Sequence, residues 1–138
     1  MSTGAIIAII LAVVVVGYFG IALRRMKKIQ VPSSEKIVNL NEANFEHQIK
    51  RGVTLVDFWA TWCMPCKIMV PALNDVAEEL DGKVKIAKVD VDKNQSLSAK
   101  FKVRSIPTLI LFKDGKEINR FVGVKDKNYL LKQLKAVL

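Results

Sequence analysis

The stretch that decides the fold is residues 55–67, which reads LVDFWATWCMPCK. Its first half is an apolar run typical of a buried strand, and it leads into Cys63 and Cys66, which have a Cys-x-x-Cys spacing. Asp57 stands inside the apolar run, where a carboxylate is costly to bury unless the protein uses it. The stretch therefore raises two linked questions, what the cysteines do and why a carboxylate precedes them.

Cys63 and Cys66 are the only cysteines among 138 residues, and three uses of them can be compared. A zinc site needs about four ligands, and the single histidine, His47, is expected on an exposed helix face, so two chains would have to share the metal. A structural disulfide gains most by closing a long loop, and this one would close a short loop. The pair follows a strand and opens a helix, which favours reversible redox chemistry without a metal or other cofactor.

The helix N-terminus gives the two cysteines different roles. Unpaired N–H groups and the helix dipole favour a thiolate at Cys63, which becomes the nucleophile. Cys66 lies one turn further along, in a position expected to be more buried, and resolves the mixed disulfide that forms at Cys63. Pro65 suits the first helical turn because that turn needs no N–H from it.

Asp57 shares one strand face with Leu55 and Trp59, and burial beneath the cysteine turn would raise its pKa. It could then accept the Cys66 proton, directly or through a water molecule. The alternative is a half-buried carboxylate bonded only to backbone. Lys88 is in phase with Val84 and Ile86 on another strand, so it is expected to point towards a covered face and to oppose the raised pKa. The alternative for Lys88 is a surface lysine.

The N-terminal segment is of a different kind from the rest. Residues 4–23 carry no charge and are long enough, as a helix, to cross a bilayer, so we predict a transmembrane helix after a tail of residues 1–3. A cleaved signal peptide would have a basic segment before a shorter apolar run, and a buried core helix would have a polar face. Residues 24–34 form a basic segment and short tether, and residues 35–138 form the folded domain.

The positive charges indicate which side of the membrane the domain occupies. Four basic residues follow the span (Arg24, Arg25, Lys27 and Lys28) and none precedes it, so the domain is expected in the cytoplasm; a domain facing the cell envelope or periplasm is the alternative. The net charge is +9, and without these four it is a scattered +5. Such a distribution is typical of a solvated surface and argues against nucleic-acid binding.

Hydrophobic periodicity predicts an alternation of strands and helices after residue 34. Asn41 is expected to cap the first helix of this domain, Asp126 to cap the last one, and Asp114-Gly115 to form a hairpin turn. The pattern predicts an α/β domain with a mixed β-sheet and helices on both faces. The strands are expected at 37–40, 54–60, 84–91, 108–112 and 118–122, and the helices near 41–52, 67–80, 95–101 and 126–137.

The chain resembles the thioredoxin family from about residue 37 to residue 138. The matching segments are 56–60 (VDFWA), 62–67 (WCMPCK), Pro71, 87–90 (AKVD), 106–112 (IPTLILF), 114–115 and 122–123. The resemblance implies a thioredoxin fold, a cis bond before Pro107, and an enzyme that reduces protein disulfides and is recycled by thioredoxin reductase. It implies a substrate-binding rim at Trp62, Met64, Pro65, Ile106, Pro107 and Gly123, and we expect a monomer.

Two residues depart from the usual family pattern. Met64 stands where glycine is common, which bears on the redox potential, and Ser105 stands where glycine is common before Ile-Pro, which bears on substrate preference. Two further classes of function fit the sequence less well. A non-catalytic binding module would not need both cysteines and Asp57, and a purely structural membrane protein would not need the domain.

Overall fold

The computed structural model of the chain describes residues 1–27 and 31–138. Lys28 of the predicted basic flank and residues 29–30 of the predicted tether therefore lie outside the described residues. The chain divides into two units, Met1–Gln30 and Val31–Leu138. The second unit thus begins four residues before the predicted start of the domain at residue 35.

The first unit contains one helix, α1 (Thr3–Lys27). At 1.5 Å per residue its 25 residues extend over about 38 Å, and the stretch Thr3–Arg25 is long and apolar enough to cross a membrane. Its Ile, Leu and Val side chains are exposed along their length, as are Tyr18 and Phe19. The predicted span 4–23 lies within this helix, whose length and composition fit either a transmembrane span or a signal sequence.

The second unit is built on a five-stranded mixed sheet. Its strands are β1 (Ile37–Leu40), β2 (Val53–Trp59), β3 (Val84–Asp90), β4 (Thr108–Lys113) and β5 (Lys116–Val122), in the order β1-β3-β2-β4-β5. The first three strands are mutually parallel, and β4 is antiparallel to β2 and to β5. The helices are α2 (Phe45–Ile49), α3 (Met64–Glu79), α4 (Gln95–Lys100) and α5 (Lys127–Lys135).

Helices cover both faces of the sheet, as predicted. On one face α3 and α5 bury Leu73, Val76 and Leu130 against Leu55 of β2. On the other face α2 and α4 bury a second cluster, whose centre is aromatic: the ring of Phe45 lies 5.1 Å from that of Phe101 and 5.7 Å from that of Phe112. Each fully buried side chain of this size stabilises the fold by about 1.5–3 kcal/mol, so β2 is fixed from both sides.

Helix α2 begins later than the sequence predicted. The side chain of Asn41 accepts hydrogen bonds from the N–H groups of Ala43 and Asn44, at 2.9 and 3.0 Å, and so forms a turn of its own. The helix starts after this turn, with Asn44 in the capping position and Phe45 as its first residue. The predicted cap at Asn41 is therefore wrong, because asparagine stabilises a turn as readily as a helix end.

The hairpin between β4 and β5 turns at Asp114 and Gly115, as predicted. Both have positive φ, +50° and +83°, which is the conformation that a two-residue Asp-Gly turn requires. Asp114 also joins the hairpin to the start of β2, because its N–H donates to the Gly52 carbonyl and its carboxylate accepts from the Gly52 N–H, each at 2.9 Å. Strand β5 lies at the edge of the sheet and is largely exposed.

Candidate active site

The two cysteines lie where β2 passes into α3. The chain turns over residues 60–62, and Cys63 occupies the N-cap position of α3, which begins at Met64 rather than at the predicted Lys67. The Cys63 sulfur accepts a hydrogen bond from the Cys66 N–H at 3.2 Å, and Pro65 lies in the first turn, as predicted. The sulfurs form a disulfide, with the Cα atoms 5.3 Å apart.

Both cysteines are covered in this oxidised state. Cys63 is 3% exposed and Cys66 is 2% exposed, so the predicted difference in burial between them is absent here. What distinguishes the two is position along α3. Cys63 stands at the end of a 16-residue helix whose first N–H groups and dipole favour a negative charge, and Cys66 lies inside the first turn. Reduction of the disulfide would therefore place a favoured thiolate at Cys63.

Asp57 is buried in the middle of β2, with 1% of its surface exposed. It pairs with Lys88 on β3 and with Leu109 on β4, and its neighbours on the same strand face are Leu55 and Trp59. Burial raises the pKa of Asp57 to about 7, and the positive charge of Lys88 opposes that rise. Among the described residues, its Oδ1 atom has no hydrogen-bond partner. A carboxylate in this state can exchange a proton near neutral pH.

Lys88 lies beside Asp57 and is also covered, with 7% of the residue exposed. Its ammonium donates to the Ser33 hydroxyl at 2.8 Å and lies 4.1 Å from the centre of the Trp59 ring. Burial lowers the pKa of Lys88, and the carboxylates of Asp57 and Asp90 oppose that shift. The structure thus places Lys88 on the covered face, as its strand phase predicted. Ser33 was not predicted as a contact of Lys88.

Exposed apolar side chains surround the cysteine turn. Trp62 is 68% exposed, and its indole N–H donates to Asp92 at 2.8 Å, which fixes the ring beside the turn. Met64 is 57% exposed, and Pro65 is exposed next to it. Ile68 also has 66% of its surface exposed, one helical turn after Met64. Ile68 was not predicted as part of the rim, although its i,i+4 spacing from Met64 indicates that the two side chains share one face of α3.

The other part of the predicted rim comes from the start of β4 and the end of β5. The Ile106–Pro107 bond is cis, and Ile106 packs against the buried cluster that contains both cysteines. The Gly123 N–H donates to the Pro107 carbonyl at 2.9 Å, and Gly123 has a φ of +87°, which suits glycine. The structure therefore brings Ile106 to the cysteines and joins Pro107 to Gly123.

No group of three or more histidine, cysteine or acidic side chains suited to a metal occurs in the part of the chain that the structure describes. His47 is exposed on α2, far along the chain from Cys63 and Cys66. The site therefore consists of a disulfide at a helix N-terminus, a buried carboxylate with a neighbouring ammonium, and an apolar rim.

Comparison with known proteins gives a consistent result. Residues 36–136 match the family model described as Thioredoxin. A thioredoxin of Staphylococcus saprophyticus is 53% identical over 94 residues, which cover 68% of this chain and 90% of that protein. A thioredoxin of Staphylococcus haemolyticus is 52% identical over 98 residues, covering 71% of this chain and 94% of that protein. A thioredoxin of Staphylococcus aureus is 49% identical over the same length.

Proposed function

This chain belongs to the thioredoxin family, and from that premise we propose that it reduces protein disulfides while α1 anchors it in a membrane. The chain is a thiol-disulfide oxidoreductase, and the family uses no cofactor beyond its two redox-active cysteines. The observation that carries the proposal is the placement of Cys63 at the N-terminus of α3, with Cys66 in the first turn and Asp57 buried in the preceding strand. We propose that the protein acts as a monomer.

The proposed cycle begins with the reduced pair. The Cys63 thiolate attacks one sulfur of a substrate disulfide, a new S–S bond forms, and the second substrate sulfur leaves as a thiolate that takes up a proton. Cys66 then loses its proton and attacks the Cys63 sulfur, which releases the first substrate sulfur as a thiol. The substrate has gained two electrons and two protons, and Cys63 and Cys66 are joined again as in the present structure.

Asp57 is the proposed acceptor of the Cys66 proton. An ordinary aspartate would be too weak a base at neutral pH, whereas the pKa of about 7 produced by burial matches the task. Lys88 limits the rise in that pKa through its positive charge. We therefore propose Asp57 as a catalytic residue and Lys88 as the residue that tunes it.

The substrate would bind across the exposed rim around the turn. Trp62, Met64 and Ile68 offer apolar surface next to the disulfide, and an exposed patch beside a reactive group is a natural docking site. An extended substrate segment could also bond to the backbone near Ile106, in the manner of an added strand. A reductase supplies the electrons for the family in general, and we propose an NADPH-linked thioredoxin reductase for this chain.

Activity is tested with the full chain in a neutral detergent and with insulin as the disulfide substrate. We expect the wild-type chain to accelerate the reduction of insulin by dithiothreitol and the Cys63→Ser variant not to. A wild-type chain no faster than Cys63→Ser would favour the non-catalytic binding module.

Membrane sidedness is tested separately, because it decides which reductase can reach the domain. The basic residues after α1 lead us to propose a cytoplasmic domain. Since Cys63 and Cys66 are the only cysteines, reduced cells can be treated with a membrane-impermeant thiol reagent before and after lysis. We expect labelling only after lysis. A Ser2→Cys variant that lacks both native cysteines serves as the control and should be labelled in intact cells.

Labelling of the native cysteines in intact cells would place the domain in the envelope and favour an envelope thiol reductase or oxidase. Loss of α1 by cleavage would appear as a shorter mature chain in the same samples. That result would identify α1 as a signal sequence and remove the proposed anchor.

A further inference from the structure

The chain segment just before β1 is fixed to α3 by one side chain. The Asn74 amide donates to the Pro32 carbonyl at 3.0 Å and accepts from the Ser34 N–H at 2.7 Å. We call residues 32–34 the strap. The Ser34 hydroxyl adds a bond to Glu78 at 2.9 Å, so both ends of the strap are bound to α3. Because Ser33 lies between the two positions that Asn74 holds, its backbone is confined and its side chain has a defined direction.

The Ser33 side chain points to Lys88. The Ser33 hydroxyl accepts a hydrogen bond from the Lys88 ammonium at 2.8 Å, and the Trp59 ring lies 4.1 Å from the same nitrogen. A hydroxyl acceptor and an aromatic face are both favourable neighbours for an ammonium group, and together they define where the charge rests. Ser33 and Lys88 are 55 residues apart in sequence, so only the folded strap brings them together.

The position of the Lys88 ammonium affects the pKa of the Asp57 carboxyl group. Asp57 and Lys88 are paired residues on neighbouring parallel strands, about 4.8 Å apart in backbone spacing, and their side chains share the α3 face of the sheet. Within the described residues, the two nevertheless form no ion pair within 4.0 Å, and Asp57 Oδ1 has no partner. The ammonium is bound to Ser33 instead of to the carboxylate beside it.

We propose that Ser33 is a positioning residue of the dithiol site. Its hydroxyl keeps the Lys88 ammonium against Trp59 and out of ion-pair contact with Asp57, so that the carboxylate remains available to accept a proton. The strap, at the start of the second unit, thereby becomes a part of the proton-transfer machinery. This inference rests on the proposed role of Asp57 as the acceptor of the Cys66 proton.

The charged groups that act on this pair lie on β2 and β3. Lys88 is influenced by the carboxylates of Asp57 on β2 and Asp90 on its own strand, and Asp57 is influenced by Lys88. At the start of α3, Cys63 and Cys66 are joined in a disulfide and carry no charge in this state, and further along α3 Glu78 bonds to Ser34 and to Lys36. The freed Lys88 ammonium would have Asp57, its buried pairing partner on β2, as an acceptor beside it.

The test measures the pKa of Asp57 in the full-length chain in neutral detergent, from the carboxyl carbon resonance and from the pH dependence of insulin reduction. In Ser33→Ala we expect Lys88 to relax towards Asp57 and the apparent pKa to fall by about one unit, the lower end of what a nearby opposite charge produces. Asn74→Ala, which releases the strap, should show the same direction. Ser33→Thr keeps the hydroxyl and should restore the wild-type value.

Ser34→Ala is the matched control, because it removes a hydroxyl that does not contact Lys88, while Asn74 still holds the strap through the Pro32 carbonyl and the residue 34 N–H. It should leave the Asp57 titration unchanged. An unchanged or raised pKa in Ser33→Ala, or an equal fall in Ser34→Ala, would overturn the inference. The proposed role of Asp57 is tested apart from it: if Asp57→Asn left the pH profile of reduction unchanged, that role would fail, whatever Ser33→Ala does to the carboxyl resonance.

Discussion

Replacing Asp57 with asparagine tests two effects of this carboxylate, the stability that its burial removes and the proton transfer that it provides. Asparagine has nearly the same volume and stays neutral, so the packing around residue 57 should persist. The charge is what changes, and Asp57 is 1% exposed and without a partner at Oδ1 among the described residues. A buried carboxylate in this situation destabilises the fold when it is ionised.

The size of the effect follows from the pKa. Burial raises the pKa of Asp57 from 3.8 to about 7, so the folded protein binds the proton more tightly than the unfolded chain does. Stability is therefore lost as the pH rises from about 4 to about 7, and it levels off above that range. Each unit between the two pKa values is worth about 1.36 kcal/mol, which gives about 4 kcal/mol in total.

The assay is urea unfolding of the oxidised full chain and of Asp57→Asn, in neutral detergent, between pH 4 and pH 9. The difference in unfolding free energy should grow in favour of the variant by about 1.4 kcal/mol per pH unit up to pH 7 and stay constant above it. Other titrating groups are common to both proteins and cancel in the difference. The same variant should reduce insulin more slowly at neutral pH and lose the pH dependence that Asp57 contributes.

A constant stability difference across this pH range would refute the reasoning, since it would mean that Asp57 ionises in the fold as easily as in water. Slower reduction without any gain in stability would likewise contradict it. In that case the asparagine would act by distorting the cysteine turn rather than by removing a buried base.

Three further predictions concern other parts of the domain. Cys66→Ser should accumulate mixed disulfides with substrate proteins through Cys63, detected on non-reducing gels, and accumulation of such adducts in Cys63→Ser instead would reverse the assignment. Met64→Gly removes an exposed side chain and adds backbone freedom at the first residue of α3. The reduction potential, measured by equilibration with glutathione, should therefore shift by on the order of tens of millivolts. A shift within experimental error would mean that residue 64 has no effect on the potential. Asp126→Ala removes the carboxylate that accepts from the Tyr129 N–H at 2.8 Å, and urea unfolding should show a loss of about 1 kcal/mol, with no loss excluding a capping role.

The sheet and its helices could be predicted because short-range patterns determine them. Alternation of apolar residues located the strands, Asp126 capped α5 as expected, and Asp114-Gly115 gave the hairpin. The predicted helix starts were wrong where one type of residue can stabilise either a turn or a helix end. Asn41 stabilises a separate turn rather than the helix itself, and α3 starts at Met64 because Cys63, not a later residue, acts as its cap.

The site was predictable to the extent that it follows from strand phase. Strand alternation predicted Asp57 beneath the cysteine turn and Lys88 on a covered face, and the parallel pairing seen in the structure places the two side by side. Ser33 could not be found in this way. Its contact with Lys88 depends on the strap, which is fixed by the side chain of Asn74, and no local periodicity links residues that far apart.

The exposed edge of the sheet has a consequence for the membrane-anchored domain that we propose. The unpaired N–H and C=O groups of an edge strand can pair with the edge strand of a neighbouring molecule. Anchoring would bring identical copies close together and so favour this pairing. Strand β5 carries Lys116, Glu117 and Arg120, and the last two form an ion pair at 2.8 Å. Charges on an edge strand oppose sheet-to-sheet aggregation, so the charges of β5 would keep neighbouring copies of the proposed anchored domain from pairing along this edge.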